Sequence, residues 1–400
     1  MFGLGFGGVP AFMVRAAGVE RDSKLFARKK ILVCIFQRGA MDGLMAVSPF
    51  NDQYLKEARP NLFINNFTDL DGRFGLHPGF TGFDDLFKEK RLAIVHGMGS
   101  PNNTRSHFDA QDYMESGTPF NKGTDSGWLN RAVGLLGHDA TPYRAVSLTS
   151  SMPRSFYGEN PALAIRDLRD FSVQMKGTKG GAAVAAKSFE ELYDETSSAL
   201  LKNTGKESFE AMRILQKSNF ANYAPANGAE YPASQLGNSL KQIAALIKMD
   251  VGMEIGFAES GGWDTHFNQG AANGVFARNA NDLSRSIVAF WTDLEKYQDD
   301  LTVLTMTEFG RTVRQNGTGG TDHGRASCSF VIGNDVLGGK VYGDLKELAV
   351  ENLEDGRDLP VTTDFRGVFA GVAGAHLNVD NDQVLFPGWN GQRLPLIGKR

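Results

Sequence analysis

The chain has 400 residues, 42 of them Lys or Arg and 46 Asp or Glu, for a formal net charge of −4. Charge this close to balance leaves no electrostatic footprint for nucleic acid. With 41% hydrophobic and 22% charged residues, the composition also excludes a disordered chain.

Glycine is abundant at 47 residues, with no short repeat, against a usual share of about 7%. That enrichment implies many tight turns and close backbone approaches, as in a loop-rich α/β enzyme. The N-terminal run MFGLGFGGVPAFMVRAA (1–17) carries no charge before Arg15. It is too short to span a bilayer as a helix. Its mild apolar character and small-residue end fit the remnant of an export signal over 1–26, with a disordered or packed N-terminal arm as the alternative. The folded domain is expected from about residue 27 to residue 400.

KKILVCIFQ (29–37) is a nearly continuous apolar run with β-branched residues, the pattern of a strand buried on both faces. RLAIVHG (91–97), YRAVSLT (143–149), GMEIGFAE (252–259), LTVLTMT (301–307) and ASCSFVIG (326–333) read the same way. Cys34 and Cys328 lie inside two of these runs and read as buried thiols. Between the runs lie amphipathic stretches, clearest at 275–298, where Leu283, Ile287, Phe290, Trp291, Leu294 and Tyr297 form one stripe. Buried strands separated by such helices predict a three-layer αβα sandwich with a mostly parallel central sheet. Residues 155–250 are more polar and rich in Ala, Ser and Lys. They read as a helical insertion or cap, with helices near 186–202, 207–218 and 234–248 and a KGTKGG turn at 176–181.

Open α/β sheets bind ligands at the carboxyl ends of their strands, so the residues following each strand carry the functional signal. The first strand is followed by RGAMDGL with Asp42, and the second by MGSPNNTRSHFDAQDYMESG with Arg105 and Ser106 at a helix start. Then come ESGGWDTHFNQG with Asp264 and His266, EFGRT with Glu308 and Arg311, and NGTGGTDHGR with Asp322 and His323.

Each element alone has a plain structural meaning. Asp42 can be a turn residue, Ser106 with Asp109 an N-cap arrangement, and Glu308 with Arg311 an ion pair. Their recurrence at successive strand ends is what argues for a metal site. Zn, Mn, Mg or Ca needs carboxylate oxygens, and the transition metals also neutral imidazoles, converging on one point. Asp264, His266 and His323 supply such a set, with Asp322 beside it. Asp42 and Glu308 are oxygen donors for a second, harder cation. Ser106 sits where helix N–H groups favour an anion, and Arg105 and Arg311 are candidate clamps for its oxygens. Two metals plus a hydroxyl nucleophile suit displacement at phosphorus or sulfur. His77, His96, His138 and His376 read as packing or loop residues.

The runs RGAMDGL, SHFDAQDYMESG, SGWLNRA, GGWDTHFNQG, TEFGRT and GTDHGRASCSFVIG together resemble family 1501 of the bacterial domains of unknown function, from about residue 28 to the FPG at 386–388. That resemblance implies an alkaline-phosphatase-like fold, and it implies twin-arginine export to the periplasm or medium. It also implies an order of site residues. Asp42 matches the first Asp, Ser106 the nucleophile, and Asp264 with His266 the Asp…His pair, at shorter than usual spacing. Two registers exist for the rest. In one, Asp322-His323 is the Asp-His pair and His376 the final His. In the other, Glu308-Phe309 takes the pair's place and His323 is the final His, which puts the ligand at a strand's carboxyl end but leaves Phe where an imidazole is expected. Sulfatase chemistry fits less well, because SMPRS (151–155) has its Arg one place too early for a C/S-x-P-x-R pattern. The reading is therefore an exported metal-dependent hydrolase or transferase acting on a small or polymeric phosphate or related ester. The alternative is a non-catalytic metal- or anion-binding protein on the same fold, serving a surface-protein partner. His107 is read as a bystander or a contact to the leaving group.

Overall fold

The computed structural model describes residues 29–137, 141–169, 210–211, 215 and 223–398. Nine strands form the main sheet. In chain order they are β1 (Ile31–Gln37), β2 (Leu92–Gly99), β3 (Ala145–Ser147), β4 (Leu163–Ala164), β5 (Ile255–Ser260), β6 (Leu301–Met306), β7 (Ser327–Gly333), β8 (Lys340–Tyr342) and β9 (Thr363–Asp364). Their spatial order is β8-β2-β7-β6-β1-β5-β3-β4, with β9 also paired to β2. Every pairing is parallel except those of β7, which runs antiparallel to both β2 and β6. Because β7 is reversed, its first residues lie at the edge where its neighbours end. Loops that follow β1, β5 and β6 therefore meet the loop that precedes β7.

All seven residues of β1 are buried, which is why the run is apolar throughout rather than alternating. Val33 and Ile35 enter one core, while Leu32, Cys34 and Phe36 enter the other. The first core is covered by α3 (Gln235–Lys248) and α4 (Val275–Asp293), the second by α2 (Trp128–Leu135) and α5 (Phe365–Leu377). The result is the expected three-layer sandwich. Ser234 starts α3 by accepting a hydrogen bond from the Gly237 N–H, and Asp364 starts α5 by accepting from the Arg366 N–H, each satisfying a donor left free in a first helical turn. The stripe over 275–298 ends its α-helix at Asp293 and continues as a 3-10 turn, Glu295–Asp300.

Two parts of the stretch read as an insertion lie in the main body. β4 is the last strand of the sheet, and α3 packs against α4 and β5. The predicted helices at 186–202 and most of 207–218, the KGTKGG turn, the N-terminal segment 1–26 and His138 lie outside the described residues. The short strands β4, β8 and β9 have no long apolar run to announce them. Cys34 and Cys328 are both buried, free thiols, and burial raises both well above their ordinary pKa. No helix among the described residues is long and apolar enough to cross a membrane.

Candidate metal centre

Four side chains meet at the carboxyl edge of the sheet. Asp264 and His266 come from the loop after β5, His323 from the end of a hairpin (Arg311–Gln315 with Thr321–His323) that joins β6 to β7, and His107 from the first position of α1 (His107–Ser116). Gly39, after β1, allows the Asp264 loop to approach. Its φ is +115°, and a Cβ there would lie 2.5 Å from the Asp264 nitrogen, so no other residue fits without moving that loop. Gly320 does the same for the hairpin, where a Cβ would lie 2.3 Å from the Thr265 carbonyl oxygen.

Asp264 is the hub. Its Oδ1 accepts from Arg311 Nη1 at 2.7 Å and lies 3.1 Å from His266 Nε2 and 3.3 Å from His323 Nε2. Its Oδ2 lies 3.5 Å from His107 Nε2. Partial burial would raise the Asp264 carboxyl, but the Arg311 guanidinium holds it below the usual carboxylate range.

The other ring nitrogen of each histidine is already committed. His107 Nδ1 donates to Glu308 Oε1 at 2.8 Å, His266 Nδ1 to Asp322 Oδ1 at 3.0 Å, and His323 Nδ1 to the Arg105 carbonyl at 2.8 Å. Carboxylates and carbonyls only accept, so each Nδ1 carries a hydrogen, and a ring that is neutral presents its Nε2 lone pair. When the rings are neutral, the three Nε2 atoms turn lone pairs toward Asp264; the hydrogen bond to Glu308 and the nearby Asp264 carboxylate raise the His107 pKa above its ordinary value. His266 Nε2 and His323 Nε2 are 2.8 Å apart, a contact two lone pairs tolerate only with a proton or cation between them. His107 Nε2 is buried without a hydrogen-bond partner.

Imidazoles fixed through Nδ1 by carboxylate or carbonyl, with Nε2 free, are the usual setting of metal-ligating histidines. The donor atoms of His107, Asp264 and His323 all lie within 4.8 Å of one another. The residues thus fit a divalent cation, with His266 Nε2 at 3.1 Å from Asp264 Oδ1 as a further donor, and imidazole nitrogens with one carboxylate suit a transition ion such as Zn better than Mg or Ca.

The remaining predicted residues are placed differently. Glu308 is fully buried. Its Oε1 accepts from the Gly39 N–H, Gln111 Nε2 and His107 Nδ1 at 2.9, 2.9 and 2.8 Å. Burial would raise its carboxyl, and these donors bring it below the ordinary value instead, so it orients His107. Asp322 stands behind His266, its Oδ1 also accepting from Asn316 Nδ2 at 3.1 Å. The Arg311 guanidinium is spent on Asp264 and Thr321. Arg105 pairs with Asp358 and Asp355 and offers the centre only its carbonyl. Asp42 is 1% exposed and accepts from Arg59 Nη1 and Nη2 at 2.8 and 3.1 Å, Gln269 Nε2 at 2.7 Å and the Met45 N–H at 3.1 Å. With donors already on Asp42 and Glu308, neither is left open for a second cation. Ser106 is exposed at the N-cap of α1 and makes no side-chain capping bond.

Sequence reasoning missed His107. The available signal was the Phe at 309, where an imidazole was wanted. Phe309 is buried and stacks on the His107 ring, with centroids 4.9 Å apart. The imidazole comes from the helix start, and the Phe supports it. His96 and His376 are packing residues, bonded to the carbonyls of Val47 and Ile31 and pushed down by burial to a pKa of about 4. His77 contacts the Ala271 carbonyl.

Over residues 93–386 the chain matches the family described as Protein of unknown function (DUF1501). It belongs to that family. No curated protein matches it. Solved structures similar to this family member include the PsFucS1 sulfatase from Pseudoalteromonas sp., at 11% identity over 93% of this chain and 72% of that one, with a TM-score of 0.41. The C-terminal periplasmic domain of EcEptC from Escherichia coli, in complex with Zn, is similar at 10% identity over 78% of this chain and 74% of that one, TM-score 0.37. An alkaline phosphatase from the Antarctic bacterium TAB5 is similar at 11% identity over 77% and 93%, TM-score 0.33.

Proposed function

We propose that this DUF1501 protein is an exported hydrolase that acts on a phosphate or related ester around one divalent transition-metal ion. His107, Asp264, His266 and His323 would hold the ion. The observation that carries the proposal is the convergence of three Nε2 atoms on Asp264, each ring held through its Nδ1, with His107 Nε2 buried and making no hydrogen bond. A bound cation would polarise the ester and lower the pKa of a hydroxyl beside it.

Ser106 directly precedes His107, so its Cα lies about 3.8 Å from a ligand's Cα. In this reading its hydroxyl attacks phosphorus or sulfur, the alcohol leaves with a proton, and water then hydrolyses the seryl ester. Arg311 holds Asp264 in its ionised form throughout. Glu308 and Asp322 keep His107 and His266 in the Nδ1–H tautomer.

The pairing of Arg105 with Asp358 and of Arg311 with Asp264 favours a second reading, a metal-binding protein without turnover, since neither guanidinium is free to clamp an anion. Elemental analysis of purified protein, followed by assays with aryl phosphate, phosphodiester and sulfate esters, tests both. Bound metal with turnover, and a vanadate or phosphonate adduct on the peptide 101–117, supports the hydrolase. Bound metal without turnover supports the binder. Protein that takes up no metal overturns both.

A further inference from the structure

Gln269 is fully buried between the two loops that carry the centre. Its Nε2 donates to Asp42 Oδ2 at 2.7 Å, and its Oε1 accepts from Thr321 Oγ1 at 2.7 Å and Thr265 Oγ1 at 2.9 Å. Arg311 Nε donates to Thr321 Oγ1 at 3.2 Å, and Arg311 Nη1 to Asp264. The direction of every bond is fixed by the chain's ends. Arginine has only donors, so the Thr321 proton must point away from Arg311, to Gln269 Oε1. Ionised Asp42 only accepts, so the atom of Gln269 facing it must be the NH2. Arg59, 2% exposed, closes the chain by neutralising Asp42.

We infer that Gln269 is a positioning residue for the metal centre. It ties the loop bearing Asp264 and His266 to the hairpin bearing Arg311 and His323, with the Asp42–Arg59 pair as its anchor. This rests on the proposed metal site. Backbone bonds hold the same frame: the Gln269 N–H donates to the Gly319 carbonyl and the Thr321 N–H to the Thr265 carbonyl. The side chain therefore sets the angle at which two already adjacent loops present their ligands. Asp42, expected as a ligand, acts here through Gln269.

Gln269→Glu is nearly isosteric but places a second carboxylate oxygen against Asp42. Outer-shell changes of this kind typically lower metal affinity by about 10–100-fold. The test is titration of Zn and Co into the apoprotein, with the visible spectrum of the Co-loaded form as a second readout. Gln269→Glu is expected to bind at least 10-fold more weakly and to shift the Co ligand-field bands. The exchange variant Asp42→Asn with Gln269→Glu restores one carboxylate and one amide, and should recover most of both. Thr321→Val, which removes only the hydroxyl between Arg311 and Gln269, guards against a variant that fails to fold and should shift the bands in the same sense. Unchanged affinity and bands in folded Gln269→Glu or Thr321→Val, or an exchange variant no better than Gln269→Glu, would overturn the inference and leave the metal site standing. A wild-type protein that binds neither ion would overturn the metal site itself.

Discussion

Two carboxylates, Asp264 and Asp293, each gather four polar partners, and the partners differ in kind. Asp293 is fully buried and receives the Lys248 ammonium, the Tyr223 and Tyr231 hydroxyls and the Ala226 N–H. All four are true donors. Asp264 is 45% exposed and receives one donor, Arg311, and three ring nitrogens on rings whose Nδ1–H groups are already bonded on the far side. The first cluster is electrically and geometrically complete, and it ties the 223–231 segment to α3 and α4. The second is complete only with a cation or a proton at its centre. Burial, charge balance and hydrogen-bond direction thus separate a structural carboxylate from the one proposed to ligate a metal, although both are Asp with basic neighbours.

The largest effect on stability is expected from breaking the complete cluster. Asp293→Ala leaves the Lys248 charge and two tyrosine hydroxyls without their acceptor. Removing one partner of a buried pair costs about 3–5 kcal/mol, measurable by chemical denaturation. The pH dependence is fixed in sign. Burial tends to raise the Asp293 carboxyl, but Lys248 and the tyrosines hold it below its ordinary value. Its contribution is therefore present above the unfolded-state pKa and is lost as pH falls through the folded one. The gap between wild type and Asp293→Ala should narrow in acid. Metal bound per folded molecule should not change.

A smaller and conditional effect is expected at the open cluster. His107→Ala, Asp264→Ala and His323→Ala should each lower bound metal. Each should also lose the extra stability that metal confers on wild type, about 2.7 kcal/mol at free metal one hundred times its dissociation constant. Without metal the losses should be much smaller, the opposite of Asp293→Ala. A His376→Ala control, at a buried histidine bonded to Thr302 and Ile31, should retain wild-type metal. Equal metal in all four variants would erase the distinction drawn between the two carboxylates.

Glu308→Gln sharpens the same point from behind the ligand. An amide in place of the carboxylate weakens the hold on His107 Nδ1, and metal affinity should fall about 10–100-fold. Isothermal titration with Zn reads this directly, and undiminished affinity would remove Glu308 from the site's support.

The sheet and the site were legible to different depths. β1, β2, β5, β6 and β7 showed in the sequence because strands buried on both faces need unbroken apolar runs. Their order predicted which loops would carry chemistry, and Asp264, His266 and His323 do meet. The reversal of β7 was not readable, since an apolar run has no direction. That reversal brings Glu308 after β6 and His323 before β7 to the same edge, as the second register has them, whereas His376 of the first register packs against Thr302 and Ile31. The division of labour among the acids was also hidden. Asp42 is closed off by Arg59, which is 17 residues away at the C-cap of a short helix, Gln53–Ala58, and Asp322 faces outward behind His266. No spacing rule distinguishes a carboxylate that binds a cation from one that holds an arginine.

Ser106→Ala should have the smallest effect on stability of any change considered, and it bears most directly on chemistry. An N-cap serine that bonds a first-turn N–H contributes about 1 kcal/mol. Ser106 occupies the cap position of α1, with φ −86° and ψ 121°, but makes no such bond. Its replacement should therefore change stability by less than about 0.5 kcal/mol. Metal content should also hold, because His107 is fixed by Glu308 and Phe309 rather than by its neighbour. If the hydroxyl is the nucleophile, turnover of an aryl ester should nonetheless vanish, along with the vanadate or phosphonate adduct on 101–117. Thr104 must be tested beside it, since its Oγ1 accepts from the Ser106 N–H at 3.2 Å and shares the helix start. Turnover that survives the double change Ser106→Ala with Thr104→Ala would assign the attack to water and leave the metal centre intact.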